Sequence, residues 1–201
     1  MKEYESISRE IILDQKVFLF PKYDGSCIRA EYNKNKGFFK FGSRKKLIDR
    51  SENILGESID LFLDKYSKDL TAIFKAKKYE MVTCYSEFFG QNSFAGRHDI
   101  EKHDVMLFDI NIYKKGILGP TKFYEMFDGL NVAIPILEGY LNDEIIEKIR
   151  SGTLEGQTFE GVVGKTVKDF QPEMFKIKNR AWLLKLKEQC GKNENLYKEL
   201  E

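Results

Sequence analysis

The segment Val17-Phe18-Leu19-Phe20-Pro21-Lys22-Tyr23-Asp24-Gly25 joins a short apolar run to a turn that carries a lysine and an aspartate. The run is typical of a buried strand, so that Lys22 would lie at the end of that strand. Gly25 permits a tight turn and a close approach of the backbone to a ligand. A Lys-x-Asp-Gly string on its own is most often a surface turn, because its residues are common in loops. Its meaning therefore depends on the rest of the chain.

Two later segments also combine strand-like residues with charged side chains. Glu160-Gly161-Val162-Val163-Gly164-Lys165 begins with a carboxylate, and Lys176-Ile177-Lys178 places two lysines on one strand face, because residues i and i+2 point the same way. A lysine can attack the α-phosphorus of a nucleoside triphosphate, a carboxylate can hold a divalent metal, and paired lysines can neutralise phosphate charge. The order of these three segments along the chain predicts chemistry on a nucleoside triphosphate.

Strand signals recur along the chain as short stretches rich in Val, Ile, Phe and Tyr. They predict strands over 16–20, 26–32, 38–41, 80–88, 105–113, 159–165 and 174–178, with a hairpin loop at 33–37. Apolar residues at helical spacing predict helices over 54–66, 122–127 and 143–149. Strands dominate the two ends and helices fill the middle, which favours an α+β domain built on antiparallel sheet over a parallel βαβ array.

Length and composition indicate one domain over residues 1–201, since 42% of the residues are apolar and can form a substantial core. No apolar run has the length needed to span a bilayer, and the first five residues do not open a secretory signal. Cys27, Cys84 and Cys190 are far apart and form no convincing zinc motif with His98 and His103. The sequence therefore predicts reduced thiols and a cytoplasmic protein.

The charge of the chain is balanced overall but uneven locally. A net charge of +1 argues against a protein that coats nucleic acid through bulk charge. The stretches 34–50 and 176–187 are nevertheless basic and contain aromatic residues. Either stretch can follow a phosphate backbone, and either alone is as readily explained as a solvated charged face.

Lys22-x-Asp24-Gly25 resembles the nucleophile motif of covalent nucleotidyltransferases, the superfamily of ATP-dependent DNA and RNA ligases and GTP-dependent mRNA capping enzymes. In that superfamily the lysine takes up a nucleoside monophosphate through a phosphoramidate bond and releases pyrophosphate. Further segments resemble the other motifs in the family's order: Phe41-Gly42-Ser43-Arg44, Tyr85-Ser86-Glu87-Phe88-Phe89-Gly90, Leu107-Phe108-Asp109, Glu160-Gly161-Val162-Val163 and Lys176-Ile177-Lys178.

The resemblance implies a role for each matching residue. Lys22 would be the catalytic nucleophile, assisted by Lys176 and Lys178 at the α-phosphate, and Glu160 would help to coordinate the metal. Glu87 would bind the ribose hydroxyls, while Phe108 and Val163 would pack on the base. The other residues implied to bind the nucleotide or a phosphate are Pro21, Tyr23, Asp24, Gly25, Arg29 and Arg44.

Several details resemble phage-type RNA ligases more than other members. These are Ser26 after the nucleophile motif, Lys178-Asn179 followed by Trp182, and the stretch 93–98 after Gly90. DNA ligases and capping enzymes usually carry an arginine two residues after the motif glycine, where this chain has Cys27. The nearest arginine, Arg29, lies two residues further on.

One alternative concerns the phosphate-binding lysines. Trp182-Leu183-Leu184-Lys185-Leu186-Lys187 also resembles the last motif, in the style of small viral DNA ligases, and would place Lys185 and Lys187 on one strand face. We prefer Lys176 and Lys178. The alternative motivates a second hypothesis, a ligase that seals nicked DNA. A third hypothesis is a nucleic-acid-binding module that retains the scaffold without the chemistry.

The resemblance also implies a fold, cofactors and partners. The fold would be an α+β nucleotidyltransferase (adenylation) domain of the ATP-grasp-like DNA/RNA ligase type, with antiparallel sheets flanked by helices around a central nucleotide pocket. The cofactors would be ATP and Mg²⁺, which Mn²⁺ can replace. The protein would be a monomer with no membrane partner. The substrate would be a nucleic acid with 5′-phosphate and 3′-hydroxyl ends, with RNA favoured over DNA. Residues 188–201 are too few for an OB-fold or other accessory domain, so we expect a minimal ligase or an excised catalytic domain.

Overall fold

A computed structural model describes residues 1–92 and 101–201. Within these ranges the strands are β1 (Val17–Pro21), β2 (Gly25–Asn33), β3 (Gly37–Ser43), β4 (Leu47–Ile48), β5 (Met81–Phe89), β6 (Asp104–Ile112), β7 (Gly116–Ile117), β8 (Leu137–Gly139), β9 (Gly161–Thr166) and β10 (Met174–Lys178). The helices are α1 (Glu57–Ala76), α2 (Pro120–Met126), α3 (Asp143–Ser151), α4 (Arg180–Cys190) and α5 (Glu194–Leu200). None of the helices in the described ranges combines the length and apolarity that crossing a bilayer requires.

The first sheet has the strand order β4-β3-β2-β5-β6-β7, and its neighbouring strands are antiparallel. Helix α1 covers one face, because its apolar residues recur at helical spacing and are buried there: Ile59, Phe62, Tyr66, Leu70 and Phe74. Alternate residues of β2, Ile28, Ala30 and Tyr32, join the same core. The intervening residues of β2 therefore point to the opposite face, where the candidate site lies.

The second sheet has the strand order β10-β9-β1-β8, again with antiparallel neighbours. Helix α3 packs on it and buries Ile146 and Ile149 against residues of β1, β9 and β10. The side chain of Asn142 caps the start of α3 by accepting a hydrogen bond from Ile145 N at 2.9 Å. Gly152 ends the helix with φ +79°, a conformation that glycine adopts without strain.

The N-terminal segment connects the two sheets. Arg29 Nη1 and the Tyr85 hydroxyl of the first sheet donate to the carbonyl oxygen of Lys2. Ser8 then forms a parallel bridge with Phe175 of β10 and accepts a hydrogen bond from Lys176 N at 2.9 Å. This segment therefore crosses from the first sheet to the lysine-bearing strand of the second.

The α+β class and the antiparallel sheets predicted from the sequence are confirmed. Each predicted strand is present with its bounds moved by at most two residues, and the loop at 33–37 is the β2–β3 hairpin. The helix predicted over 54–66 instead begins at Glu57 and continues to Ala76, since Ile54 adopts a turn conformation with φ +52°. Helices α4 and α5 were not predicted. The interpretation of 93–98 and His98 concerns residues outside the described ranges.

Candidate active site

Strand pairing brings the three charged segments to one edge of the second sheet. Strand β1 ends with Pro21 opposite Val162 of β9, and Lys22 N donates to Gly161 O at 3.0 Å. On the other side of β9, Lys178 of β10 lies opposite Gly161. Lys22, Glu160 and Lys178 are therefore adjacent in space, as the resemblance of their segments to the family's motifs implied.

The carboxylate of Glu160 is the centre of this arrangement. Its Oε1 lies 2.9 Å from Lys22 Nζ and 3.0 Å from Lys178 Nζ. Glu160 is buried, with 4% of its surface exposed, so the contacts are screened little by water. Burial lowers the pKa of Lys178, and the attraction of Glu160 opposes this shift. One carboxylate thus holds both the candidate nucleophile and one of the candidate phosphate-binding lysines.

The environment of Lys22 differs from the one that an amine nucleophile needs. A lysine nucleophile must be deprotonated, which burial and neighbouring cations favour. Burial does act in that direction, but Glu160, Glu87 and Asp24 outweigh it, so that the pKa of Lys22 is raised. The carboxylates around the amine therefore favour its protonated form.

Strand β5 supplies Glu87, and the turn before β2 supplies Asp24, the two remaining acidic side chains. Burial raises the pKa of Glu87 to about 8, against the opposing effect of Lys22 and with the help of Glu160 and Asp24. Glu87 lies on β5 opposite Cys27 of β2. Gly25 is needed here because an added Cβ would lie 2.1 Å from Phe88 O. Close approach of two backbones therefore brings the aspartate of the turn to the glutamate of β5.

Aromatic side chains lie between the sheets near this acidic cluster. Phe108 of β6 is half-buried and packs in one cluster with Phe18, Phe20 and Tyr23. Tyr23 stacks on Phe89 with ring centroids 5.1 Å apart and an angle of 23° between the rings. Val163 lies on β9 opposite Phe20 and is 9% exposed. The roles of Phe108 and Val163 at a base, and the central nucleotide pocket itself, remain predictions.

The two arginines implied by the resemblance bind the protein itself. Arg29 is buried and its Nε donates to Ser43 O at 2.7 Å. Arg44 is exposed and its Nη2 donates to Ser6 Oγ at 2.6 Å. Arg29 therefore fastens the β2–β3 hairpin, and a role for either arginine in binding a ligand remains a prediction.

A buried polar cluster beside Phe108 was not identified from the sequence. Asp109 accepts hydrogen bonds from the Tyr4 hydroxyl and from Lys165 Nζ, each at 2.6 Å. Lys165 Nζ also donates to Phe108 O at 3.0 Å. The cluster ties β6 of the first sheet to β9 of the second and fixes the backbone of Phe108. Asp109 and Lys165 end two of the motif segments, which was the available signal, but nothing in the sequence indicated that they pair.

The lysines of β10 contact the end of helix α5. Lys176 Nζ donates to Glu201 O and Lys178 Nζ to Leu200 O, each at 2.7 Å. Burial, followed by the neighbouring charges of Lys178, Lys22 and Arg9, lowers the pKa of Lys176 to about 8. The alternative pair, Lys185 and Lys187, lies on α4, where residues i and i+2 do not share a face. Lys185 and Lys187 therefore do not lie on one strand face, and that expectation was wrong.

A model of the RNA ligase family matches residues 15–183, and this chain belongs to that family. The match contains the nucleophile turn, the buried glutamate and both lysines of β10. No curated protein sequence matches the chain.

Solved structures of an RNA ligase from Naegleria gruberi have a similar fold. A variant with ATP and Mn gives a TM-score of 0.68 at 14% identity, over 92% of this chain and 58% of that one. The protein with PPi gives a TM-score of 0.65 at 17% identity, over 87% of this chain and 52% of that one. At such identities the likeness shows the fold alone. The chain spans just over half the length of these relatives.

Proposed function

We propose that this chain carries the nucleotidyltransferase centre of an ATP-dependent RNA ligase. Lys22 would form a lysyl-AMP adduct, the AMP would pass to a 5′-phosphate of RNA, and a 3′-hydroxyl would then displace it to seal the strand. The observation that carries the proposal is the pair of contacts from Lys22 and Lys178 to Glu160 within a chain of the RNA ligase family. ATP and a divalent metal in the structures of the Naegleria relative support the same choice of nucleotide and ion.

The first step follows from the positions of the side chains. Lys22 Nζ attacks the α-phosphorus, a P–N bond forms, the bond from phosphorus to the bridging oxygen breaks, and pyrophosphate leaves with the electron pair. Lys178, which lies beside Lys22 on Glu160, and Lys176 would stabilise charge on the α-phosphate oxygens. The amine must lose its proton before it attacks. The surrounding carboxylates raise its pKa, so their electrostatic effect on the amine must first be weakened.

The residues present fit a metal ion that is shared with the substrate. No group of three or more His, Cys, Asp or Glu side chains suited to a metal occurs in the described ranges, so the protein alone does not form a complete cage. Mg²⁺ commonly binds through one or two carboxylates with phosphate oxygens and water, and buried Glu160 can supply such a ligand. A bound Mg²⁺ or Mn²⁺ would polarise the α-phosphate as a Lewis acid. With Glu160 engaged elsewhere, Lys22 would lose its nearest carboxylate and the neutral amine would be favoured.

The proposal extends to the nucleic-acid substrate, the oligomeric state and the cellular location. We infer that RNA is preferred over DNA as the substrate, because Ser26 and Cys27 follow the nucleophile motif and because the chain matches the RNA ligase family. The DNA-ligase alternative is weakened because Lys185 and Lys187 lie on a helix. We propose that the protein acts as a monomer. All three cysteines lie in the described part of the chain as free thiols, which supports a cytoplasmic location.

Intact-mass measurement after incubation with ATP and Mg²⁺ tests the adduct. We expect the protein to gain the mass of one AMP, and we expect Lys22→Ala to gain none. Lys16→Ala is a matched control, because Lys16 is exposed and pairs with Glu138 away from the site. An unchanged wild-type mass, or an adduct on Lys22→Ala, would refute the proposal and would favour a binding module. Parallel sealing assays on nicked RNA, single-stranded RNA and nicked DNA test the substrate, and sealing of DNA alone would overturn the choice of RNA.

A further inference from the structure

A cavity lies on the first sheet at the end away from the nucleophile turn, and we call it the sheet-end cavity. Its volume of about 470 Å³ is within the range of small-molecule sites. Three polar residues of its lining form one row across the sheet, with Glu31 of β2 opposite Thr83 of β5 and Thr83 opposite Asn111 of β6. The floor of the cavity therefore offers hydrogen-bonding groups.

The sheet-end cavity lies on the same face of the sheet as the candidate active site. Alternate residues of a strand share a face, so Glu31 of β2 points to the same side as Cys27, which lies opposite Glu87 of β5. The four residues from Cys27 to Glu31 span about 13 Å of strand. A polynucleotide whose end lies at the candidate active site can therefore extend to the cavity.

Positive charge surrounds the cavity. Its lining includes the exposed side chains of Lys2, Lys114 and Lys115. Among the described residues that line it, Glu31 is the one with an acidic side chain, and its Oε1 lies 3.7 Å from Lys40 Nζ of β3. Because Lys40 compensates this carboxylate, the rim of the cavity attracts anions.

Two exposed aromatic rings flank the cavity, and each has a lysine beside it. Tyr113 lines the cavity, is 53% exposed and has Lys114 Nζ 5.4 Å from its ring centroid. Phe39 of β3 is 38% exposed and has Lys40 Nζ 5.5 Å from its ring centroid. The contact of Lys40 with Glu31 places the Phe39 ring beside the cavity. Exposed rings next to cations are the groups that bind single-stranded nucleic acid, through stacking on bases and attraction of phosphates.

Two lining residues have a strained backbone. Lys114 has φ +63° and Gln171 has φ +51°, in the left-handed region that residues other than glycine rarely adopt. Gly116 leaves room for Gln171, since an added Cβ would overlap the nitrogen of its side-chain amide. The strain therefore accompanies a lysine on the rim and an amide inside the cavity, and strain of this kind is concentrated at ligand sites.

We propose that the sheet-end cavity and the rings of Phe39 and Tyr113 bind the single-stranded RNA substrate at nucleotides away from the ends that are joined. The inference rests on the proposed function. One unpaired base would enter the cavity, where Thr83 and Asn111 can form hydrogen bonds with its edge, and neighbouring bases would stack on the two rings. The lysines of the rim would contact phosphates. This surface adds affinity for RNA without contacting the reacting atoms.

Fluorescence anisotropy with a single-stranded oligoribonucleotide of about 16 nucleotides tests the surface. We expect Tyr113→Ala and Phe39→Ala each to raise the Kd about tenfold, which is the effect of losing one stacked base. Tyr113→Phe retains the ring, so its Kd should stay within about twofold of the wild-type value. Tyr140→Ala is the matched control, because that tyrosine is 64% exposed and follows β8 of the second sheet.

The salt dependence of binding gives a readout that a general loss of folding would not give. Lys114→Gln should reduce the slope of log Kd against log salt concentration by about 0.7, the value for one phosphate contact on a single strand. Lys148→Gln is the control, since Lys148 is an exposed cation of α3 that pairs with Glu144, and its slope should equal that of the wild type. Equal slopes for the two variants would contradict a phosphate contact of Lys114.

The outcomes distinguish this inference from the proposed function. If the wild-type protein forms the AMP adduct but Tyr113→Ala and Phe39→Ala bind the oligoribonucleotide like Tyr140→Ala, the RNA surface is refuted and the function stands. If no adduct forms, the function is refuted and the titrations still decide on the surface. Weaker binding of free AMP by Tyr113→Ala, with unchanged binding of the oligoribonucleotide, would assign the cavity to a mononucleotide and overturn the inference. Adduct formation by Tyr113→Ala should proceed at the wild-type rate, and a slower rate would contradict a role confined to RNA.

Discussion

Two neighbouring regions of the site differ in the sign of their charge. The acidic half-site consists of Asp24, Glu87 and Glu160, and the basic half-site consists of Arg9, Arg150, Lys176 and Lys178, which line one cavity beside β10. In the first, the pKa of Glu87 is raised to about 8, and in the second, the pKa of Lys176 is lowered to about 8. Both shifts begin with burial and are increased by neighbouring charges of the same sign, so the charged form of Glu87 is disfavoured in the first half-site and that of Lys176 in the second.

The opposite charges of the two half-sites determine which kind of ligand would suit the whole site. A divalent cation relieves repulsion among carboxylates, and a polyphosphate relieves repulsion among lysines and arginines. A metal–triphosphate complex supplies both at once and with opposite charges on the correct sides. Glu160 and Lys178, in contact at 3.0 Å, are the boundary between the two half-sites.

Loss of the Glu160 charge should have the largest effect. Glu160→Gln keeps the size of the side chain but removes the charge that Lys22 and Lys178 share. We expect the single-turnover rate of AMP-adduct formation to fall about 10²- to 10³-fold, as for the loss of one electrostatic group that acts in the transition state. Intact-mass time courses measure this rate. Glu138→Gln is the control, because that exposed carboxylate pairs with Lys16 on the same sheet. Equal rates for the two variants would contradict the central role of Glu160.

The two lysines of β10 should differ although they share one strand face. Lys178 is nearly buried and contacts Glu160, whereas Lys176 is half-buried and is partly neutral near pH 8. We therefore expect Lys178→Gln to slow adduct formation about 10²-fold and Lys176→Gln only about tenfold at pH 8. The rates of AMP-adduct formation by the two variants are compared at saturating ATP. A larger decrease in rate for Lys176→Gln than for Lys178→Gln would show that the contact between Glu160 and Lys178 is not the boundary between the two half-sites.

The sequence predicted the strands because they depend on local patterns, whereas the resemblance to the family's motifs implied that Lys22 and Glu160, far apart in sequence, share one site. A short apolar run defines β1 and the two valines begin β9, whereas apolar and charged residues alternate in β10. Helix α4 was missed because Trp182–Leu186 is a short apolar run that fits either period, and its capping residue, Asn179, was the one clear helical signal. The same ambiguity produced the alternative lysine pair.

Other features of the site depend on contacts between residues that are far apart in sequence. Asp109 pairs with Tyr4 and Lys165 across 105 and 56 positions, and no local pattern encodes such pairs. Arg9 and Arg150 line the same cavity because the N-terminal segment runs beside β10 while α3 packs on the same sheet. The direction of the Lys22 pKa shift depends on which charges lie nearest, and that was knowable only from the fold.

Gly25 tests whether the acidic half-site depends on the close approach of β2 to β5. In Gly25→Ala the new Cβ would lie 2.1 Å from Phe88 O, so that the strands must separate. We expect a loss of about 1–3 kcal/mol in the free energy of unfolding, which is typical of overpacking. Gly139→Ala on β8 is the control, because the described residues leave open space around its Cβ. Chemical denaturation measures both variants, and equal midpoints would show that the approach is not required.

The pH dependence of stability separates the half-sites by the direction of the change. The pKa of Glu87 rises from 4.5 to about 8 on folding, so its contribution to stability is complete below pH 4.5 and is lost as the pH rises through 8. Glu87→Gln does not titrate. Its Tm should therefore increase relative to that of the wild type between pH 5 and 9, by about 2–4 °C for each 1 kcal/mol in a chain of this size.

Lys176 should give the opposite trend at higher pH. Its pKa falls from 10.5 to about 8 on folding, so the unfolded chain binds the extra proton between these values and stability rises with pH there. Lys176→Gln lacks the cost of a buried ammonium group. Its Tm should exceed that of the wild type below pH 8, and the difference should shrink toward pH 10.5. Thermal melts of both variants across pH 5 to 10.5 make the test. Parallel trends for Glu87→Gln and Lys176→Gln would mean that one common electrostatic environment, and not two opposed half-sites, surrounds Glu160.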